Sequence, residues 1–129
     1  MVSCPDNRAM PTVLIIDDAD ATRSGLVRLF QLRGYQTREA MNGAEGLERL
    51  REEPSIDVVV LDVMMPGTNG HWFREHQLKD PAVAGIPVIV FTGAVDADVL
   101  RRQMGVSEVF CKPVSVDAVF EAVSRHCAI

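Results

Sequence analysis

The sequence predicts an α/β fold, a doubly wound (βα)5 domain built on a parallel five-stranded sheet. Short, β-branched and nearly continuous apolar runs recur along the chain, as expected for strands that are covered on both faces. Segments with helical periodicity separate these runs and carry polar residues on their outer faces. Five alternations of strand and helix imply right-handed crossovers, with helices on both sides of the sheet.

Three of the predicted strands are strongly apolar and two are weaker. The apolar runs are Thr12–Ile16, Ile56–Leu61 and Ile86–Phe91. Tyr35–Glu39 is polar, which favours a position at the edge of the sheet, and Glu108–Cys111 is a shorter fifth candidate. Parallel strands of this kind need a crossover helix between each pair, which the intervening segments can supply.

The predicted helices begin at capping residues, and two of them stop at glycine. The first is predicted over Asp20–Arg33 and the fourth ends near Met104, each followed by a glycine that can terminate a helix. The third is weaker and runs through Trp72, Phe73 and His76. The caps or first residues of the five helices are expected at Asp20, Asn42, Asn69, Asp96 and Ser115.

Composition limits the chain to one domain and excludes several functions. A length of 129 residues suits one compact core, and we expect residues 1–10 to be a flexible arm before a domain over 11–129. Thirteen Lys and Arg against eighteen Asp and Glu give a charge of −5, which disfavours direct nucleic-acid binding. No apolar run approaches the roughly 20 residues of a membrane helix, and the first eight residues hold no apolar stretch that could serve as a secretory signal. We therefore expect a cytoplasmic protein with no membrane partner.

Polar residues end four of the five predicted strands, at the edge where the carboxyl ends of parallel strands meet. They are Asp17, Asp18, Asp62, Thr92 and Lys112. Three carboxylates so close together repel one another, and a hard divalent cation such as Mg²⁺ relieves that repulsion. The lysine is placed to contact an anion beside the metal, and the threonine can donate a hydrogen bond. The set is typical of a phosphoryl pocket in which one carboxylate is the nucleophile.

Taken singly, each of these residues also has a structural explanation. Asp17 and Asp18 could cap the following helix. Thr92 could be a turn hydroxyl, and Lys112 could extend from the sheet edge into water. Asp62 is harder to explain structurally, because an ionised residue at the end of a buried strand needs a partner.

Four motifs together resemble one family. They are LIIDD (Leu14–Asp18), VVVLDVMMPGTNG (Val58–Gly70), VIVFTG (Val88–Gly93) and VFCKP (Val109–Pro113). In this order they resemble the receiver domains of two-component response regulators, and the chain is similar in size to the single-domain chemotaxis type. The resemblance extends from about residue 11 to 127 and implies a flavodoxin-like sheet of order 2-1-3-4-5.

The resemblance implies a phosphoacceptor and a metal site. Asp62 would receive a phosphoryl group from the phosphohistidine of a sensor histidine kinase or a histidine phosphotransfer protein. Asp18 and Asp62 would ligate Mg²⁺ together with the backbone carbonyl of Met64, and Asp17 would assist through water. The protein would be no turnover enzyme, since it would only catalyse its own phosphorylation and dephosphorylation.

The resemblance also implies a switch. Lys112 would pair with one phosphoryl oxygen and Thr92 would hydrogen-bond another, and the bond between Lys112 and Pro113 would be cis. The partner surface would comprise the fourth helix, fifth strand and fifth helix, with an unknown downstream protein. In most relatives an aromatic residue precedes the lysine by three positions, but here it is Val109, and period-2 alternation places Phe110 on the opposite face.

Two alternatives remain at this stage. A receiver-like interaction module that does not switch is favoured by Val109. A metal-dependent phosphohydrolase is less favoured, because no second acid or base and no substrate lid can be recognised. A flavin-binding relative is set aside, since no hydroxyl- and glycine-rich phosphate loop follows the first strand. The sequence leaves open whether the chain is a stand-alone receiver or part of a longer protein.

Overall fold

The computed structural model describes residues 11–53, 55–62, 70–92, 97–106, 108–111 and 116–127. Within these ranges, five strands alternate with five helices along the chain, as predicted. The strands are β1 (Thr12–Ile16), β2 (Gln36–Ala40), β3 (Val58–Asp62), β4 (Val88–Thr92) and β5 (Glu108–Cys111). The helices are α1 (Asp20–Leu32), α2 (Gly43–Glu52), α3 (Gly70–Leu78), α4 (Ala97–Met104) and α5 (Val116–Cys127).

The strands form one parallel sheet in the order β2-β1-β3-β4-β5. This confirms the predicted α/β class and the order 2-1-3-4-5. The polar strand β2 lies at one edge of the sheet. An edge strand has a neighbouring strand on one side only, so polar side chains are tolerated there. The three apolar strands occupy the centre.

Strands β3 and β4 begin two residues later than predicted and end one residue later. The amide of Ile56 donates to the carbonyl of Glu53 at 3.1 Å, and the amide of Ile86 donates to the carbonyl of Val83 at 3.1 Å. Both isoleucines therefore belong to turns, although their apolar side chains extend the strand pattern. At the other ends, Asp62 and Thr92 are the last residues of their strands.

The end of α1 explains a second difference in boundaries. Gly34 has a φ of 92°, and its amide donates to the carbonyl of Gln31 at 3.0 Å. The amide of Tyr35 donates to the carbonyl of Phe30 at 3.0 Å, and their rings meet edge to face at 5.4 Å. These two bonds and this contact form a Schellman motif. Gly34 and Tyr35 therefore belong to the end of α1, and β2 begins at Gln36, one residue later than predicted.

Asn42 caps α2 as predicted, accepting a 2.9 Å hydrogen bond from the Glu45 amide. The predicted caps Asn69, Asp96 and Ser115 lie outside the described residues. Gly105 follows α4 with a φ of 64°, as expected for a glycine that ends a helix.

Apolar residues cover both faces of the sheet. On one face, alternate strand residues such as Leu14, Ile16 and Leu61 pack with residues of α2, α3 and α4. On the other, Val13 and Ile15 belong to a cluster that includes residues of α1 and α5. Burial on both faces is why β1 and β3 are apolar at every position, apart from Thr12 and Asp62 at their ends.

Helix α3 buries one face and exposes the other. Phe73 and Gln77 are fully buried, whereas Trp72 is 40% exposed and stacks on the ring of His76 with centroids 4.0 Å apart. Trp72 and His76 thus share the outer face of α3, one turn apart. The polarity of this helix has a partial explanation in Gln77, a polar residue on the buried face.

The structure does not decide the predicted boundary between an arm and a domain, since residues 1–10 lie outside the described residues. Among the described helices, α1 has 13 residues, and none combines the length and the apolar character needed to cross a membrane.

Candidate functional site

The register of β1 and β3 places two of the predicted acidic residues side by side. Ile16 pairs with Leu61, so that Asp17 and Asp62 are each the next residue on neighbouring parallel strands. Neighbouring strands of a sheet lie about 4.8 Å apart. Both aspartates are almost completely buried, with 2% of Asp17 and 4% of Asp62 exposed to solvent. The carboxyl ends of the two central strands thus bring two carboxylates together.

The same edge continues across β4 and β5. Asp62 pairs with Phe91, and Thr92 is the next residue of β4. Thr92 in turn pairs with Cys111, the last residue of β5, so that Lys112 follows at the same edge in the chain. The side chain of Thr92 lies outside the described part of the chain, as does Lys112. The predicted metal ligand Met64 and the bond between Lys112 and Pro113 also lie outside it.

The contacts of Asp17 show what it does before α1 begins. Its Oδ1 accepts a 2.9 Å hydrogen bond from the amide of Ala19, the N-cap residue, which itself makes no side-chain capping bond. Its own amide donates to the carbonyl of Ala40 at 3.1 Å. The first bond is an Asx turn that lies before the helix rather than a cap of its first turn. This turn directs the chain away from the strand ends and into α1.

Asp18 differs from Asp17 in having a buried atom that is not satisfied. Its Oδ1 is buried and accepts no hydrogen bond from any described residue. An unpaired buried acceptor costs about 1–3 kcal/mol, and oxygen is the ligand that Mg²⁺ prefers. No group of three Asp, Glu, His or Cys residues that could hold a metal is found in the described ranges. The buried, unpaired Oδ1 of Asp18 is the feature of this edge that fits a metal ion.

Arg23 is a residue of this site that the sequence analysis missed. Its Nη1 donates to the backbone carbonyl of Asp17 at 2.8 Å, its Nε to Glu39 at 3.1 Å and its Nη2 to Asp20 at 2.6 Å. Burial alone would lower the pKa of Arg23, but hydrogen bonds and charge from Asp20 and Glu39 raise it above its ordinary value. The only sequence signal was its spacing of three residues from Asp20. Arg23 joins the ends of β1 and β2 to the first turn of α1.

The structure confirms that Phe110 does not replace the missing aromatic at Val109. Val109 packs against the cluster on the α2–α4 face, and Phe110 packs against the cluster on the α1 and α5 face. The ring of Phe110 contacts Phe91 edge to face, with centroids 6.1 Å apart. Adjacent residues of a strand point to opposite faces, so the two positions cannot exchange roles.

Comparison with known proteins identifies the family. The sequence model of the response regulator receiver domain matches residues 13–124, which is most of the chain. The chain belongs to this family. It is therefore a receiver domain of two-component signalling.

Two relatives are similar to this chain over nearly their whole length. Protein PilH of Pseudomonas aeruginosa is 31% identical over 92% of this chain and 99% of its own. Sporulation initiation phosphotransferase F of Bacillus subtilis is 31% identical over 88% of this chain and 91% of its own. A solved receiver domain protein from Clostridium thermocellum is 30% identical, with a TM-score of 0.79 over 92% of this chain and 94% of that one.

Proposed function

We propose that this receiver domain accepts a phosphoryl group on Asp62 and thereby changes a partner-binding surface. The observation that carries the proposal is the position of Asp62, buried at the carboxyl end of a central strand beside Asp17. A carboxylate held there is both a nucleophile and a possible metal ligand. Family membership supports the same role.

In the proposed reaction, a carboxylate oxygen of Asp62 attacks the phosphorus of a phosphohistidine. The new O–P bond forms as the P–N bond breaks, and the imidazole leaves and takes up a proton. Lys112 pairs with one phosphoryl oxygen and Thr92 donates a hydrogen bond to another. This is phosphoryl transfer by positioning and charge neutralisation, for which the chain needs no further acid or base.

We assign Mg²⁺ to the same edge of the sheet. Asp18, Asp62 and the carbonyl of Met64 would hold it, and Asp17 would assist through water. When bound, the ion neutralises charge on the carboxylates and on the phosphoryl oxygens. The buried, unpaired Oδ1 of Asp18 supports this assignment.

The proposed donor is a sensor histidine kinase or a histidine phosphotransfer protein in the cytoplasm. A relative in Bacillus subtilis that spans 88% of this chain is named a phosphotransferase, which supports a phosphorelay. The proposed downstream partner is a protein that binds α4, β5 and α5, where Arg101 and Arg102 are exposed. Neither nucleic acid nor membrane is a proposed partner, and the only reactions are gain and loss of the phosphoryl group on Asp62.

Val109 favours a second candidate, a receiver-like module that binds partners without switching. With a valine in place of an aromatic ring, β5 has no large side chain at this position to move with Thr92. Amide spectra before and after addition of beryllofluoride and Mg²⁺, which mimic an aspartyl phosphate, distinguish the candidates. Changes that reach α4 and β5 support the switch, whereas changes confined to the ends of β1 and β3 support the static module.

The primary test is the intact mass after incubation with acetyl phosphate and Mg²⁺. We expect one added phosphoryl group on the wild type and none on Asp62→Asn. Asp57→Asn is the matched control, because Asp57 lies beside the opposite end of β3, where it accepts a 2.8 Å hydrogen bond from the Thr12 amide. It should be modified like the wild type. An adduct that persists in Asp62→Asn would contradict the assignment of Asp62 as the phosphoacceptor. In a separate assay, multiple turnover of a phosphoester substrate would favour a hydrolase.

A further inference from the structure

The side chain of Arg74 connects α3 to the end of α4. Its Nε donates to the carbonyl of Met104 at 2.9 Å, and its Nη2 donates to the carbonyl of Gly105 at 2.7 Å. These carbonyls lie at the C-terminus of α4, where backbone acceptors lack partners within the helix. A cation is also favoured there by the helix dipole. Arg74 is therefore a C-terminal cap supplied by a neighbouring helix.

Gln77, one turn further along α3, holds Arg74 in place. Its Oε1 accepts a 2.8 Å hydrogen bond from Nη1 of Arg74. Its Nε2 donates to the carbonyl of Val83 at 3.1 Å and to that of Ile86 at 2.9 Å. Gln77 is fully buried, and both the oxygen and the nitrogen of its amide have hydrogen-bond partners within the protein.

These bonds form a continuous polar chain through an apolar region. It runs from the end of α4 through Arg74 and Gln77 to the turn before β4. Burial lowers the pKa of Arg74, but a guanidinium stays charged at every physiological pH. Breaking the bonds of Gln77 would leave its buried amide unpaired, so this part of the chain resists loosening.

We propose that Arg74 is a positioning residue that makes α3 move with α4 when the domain is phosphorylated. This inference rests on the proposed function. Helix α4 follows Thr92 in the chain, so a change at Thr92 acts on the N-terminal end of α4. The Arg74 cap carries that movement from the C-terminal end into α3. The surface that changes on phosphorylation then includes the stacked pair Trp72 and His76 on the outer face of α3.

The test measures how far the effect of beryllofluoride and Mg²⁺ spreads through backbone amide shifts. In the wild type, we expect changes at Asp17–Asp20 and also in α3 and the turn from Asp80 to Ile86. In Arg74→Met, the changes in α3 and this turn should fall at least threefold relative to those at Asp17–Asp20. A loss of stability alone would not alter this ratio. Unchanged spreading in Arg74→Met would overturn the proposal.

Two further variants keep the test decisive. Arg74→Lys retains the charge but lacks the forked donor, so it should reduce the shift changes in α3. This variant serves as the test if Arg74→Met does not fold. Full shift changes in α3 of Arg74→Lys would then overturn the proposal. Lys79→Met removes an exposed cation just after α3 and should leave the ratio unchanged. An equal reduction in Lys79→Met would also overturn the proposal.

The failure of this inference can be distinguished from failure of the proposed function. A wild type that gains the phosphoryl adduct and shows shifts at Asp17–Asp20, but none in α3, overturns only the coupling. A wild type with no adduct and no shifts at the strand ends overturns the phosphoacceptor role and the coupling with it.

Discussion

The guanidinium of Arg23 lies 2.8 Å from the backbone carbonyl of Asp17 and donates a hydrogen bond to it. The same side chain, 13% exposed, also binds Glu39 at the end of β2. One residue of α1 therefore holds together the ends of two strands at the acidic edge of the sheet. The chain at Asp17 and Asp18 is held in place by the hydrogen bond from Arg23 and by the Asx turn of Asp17.

Arg23→Met is expected to lower the free energy of unfolding by about 1–2 kcal/mol, because it leaves the Asp17 carbonyl without this donor. It should also weaken the binding of Mg²⁺, since the acidic turn loses an anchor. Urea unfolding and a Mg²⁺ titration check the two effects. Arg28→Met, on an exposed part of the same helix, is the control and should change neither. Equal effects of the two substitutions would contradict the prediction.

Asp18→Ala is expected to abolish Mg²⁺-dependent stabilisation. It removes the buried, unpaired Oδ1, so the metal-free protein should be at least as stable as the wild type. Wild-type protein should gain about 2.7 kcal/mol when Mg²⁺ is at 100 times its dissociation constant. Thermal midpoints with and without Mg²⁺ measure both effects. Glu48→Ala, an exposed carboxylate on α2, should keep the full Mg²⁺ response. A full response in Asp18→Ala would rule out the assigned ligand.

Two glycine-to-alanine substitutions should change stability in opposite directions. Gly25 lies within α1, and an added Cβ would meet no atom within 4 Å, so alanine should stabilise the protein by about 0.5–1 kcal/mol. Gly105 also has open space, but its φ of +64° is unfavourable for alanine, which should cost about 1 kcal/mol. Chemical denaturation of both variants measures the difference. If both substitutions changed the free energy of unfolding in the same direction, backbone conformation would not be what decides the effect of alanine.

Asp80 should contribute to the loss of stability in acid. A hydrogen bond from Arg51, with Nε and Oδ2 2.8 Å apart, is the main cause that lowers the pKa of Asp80, and the Ala82 amide adds to it. A carboxylate with a lowered pKa stabilises the folded state above its unfolded pKa, and this contribution disappears as the pH falls through the folded pKa. Asp80→Asn should therefore lose less stability on acidification than the wild type.

An NMR titration of the Asp80 carboxyl group tests the cause directly. Arg51→Met removes the principal donor, so the pKa of Asp80 should rise toward its ordinary value. A pKa that stays where it is in the wild type would show that Arg51 is not responsible.

Local patterns were sufficient to predict the elements, but not their boundaries. The apolar runs at β1, β3 and β4 identified the central strands because residues covered on both faces must be apolar throughout. Ile56 and Ile86 were assigned to strands wrongly, because an apolar residue in a turn that packs against the core cannot be distinguished in sequence from a strand residue. Their backbone hydrogen bonds to Glu53 and Val83 depend on how the chain turns before each strand.

The sequence by itself determined the fold class, the strand order through family resemblance, and the edge of the sheet where polar residues collect. That was possible because period-2 and period-3.6 patterns and strand ends are local features. Only the tertiary structure decided the register of β1 and β3 beside the two aspartates, and that Arg23 and Arg74 tie separate elements together. Those contacts join residues far apart in the chain or on different elements. A long, flexible arginine reaches several partners, and only packing determines which carbonyl it meets.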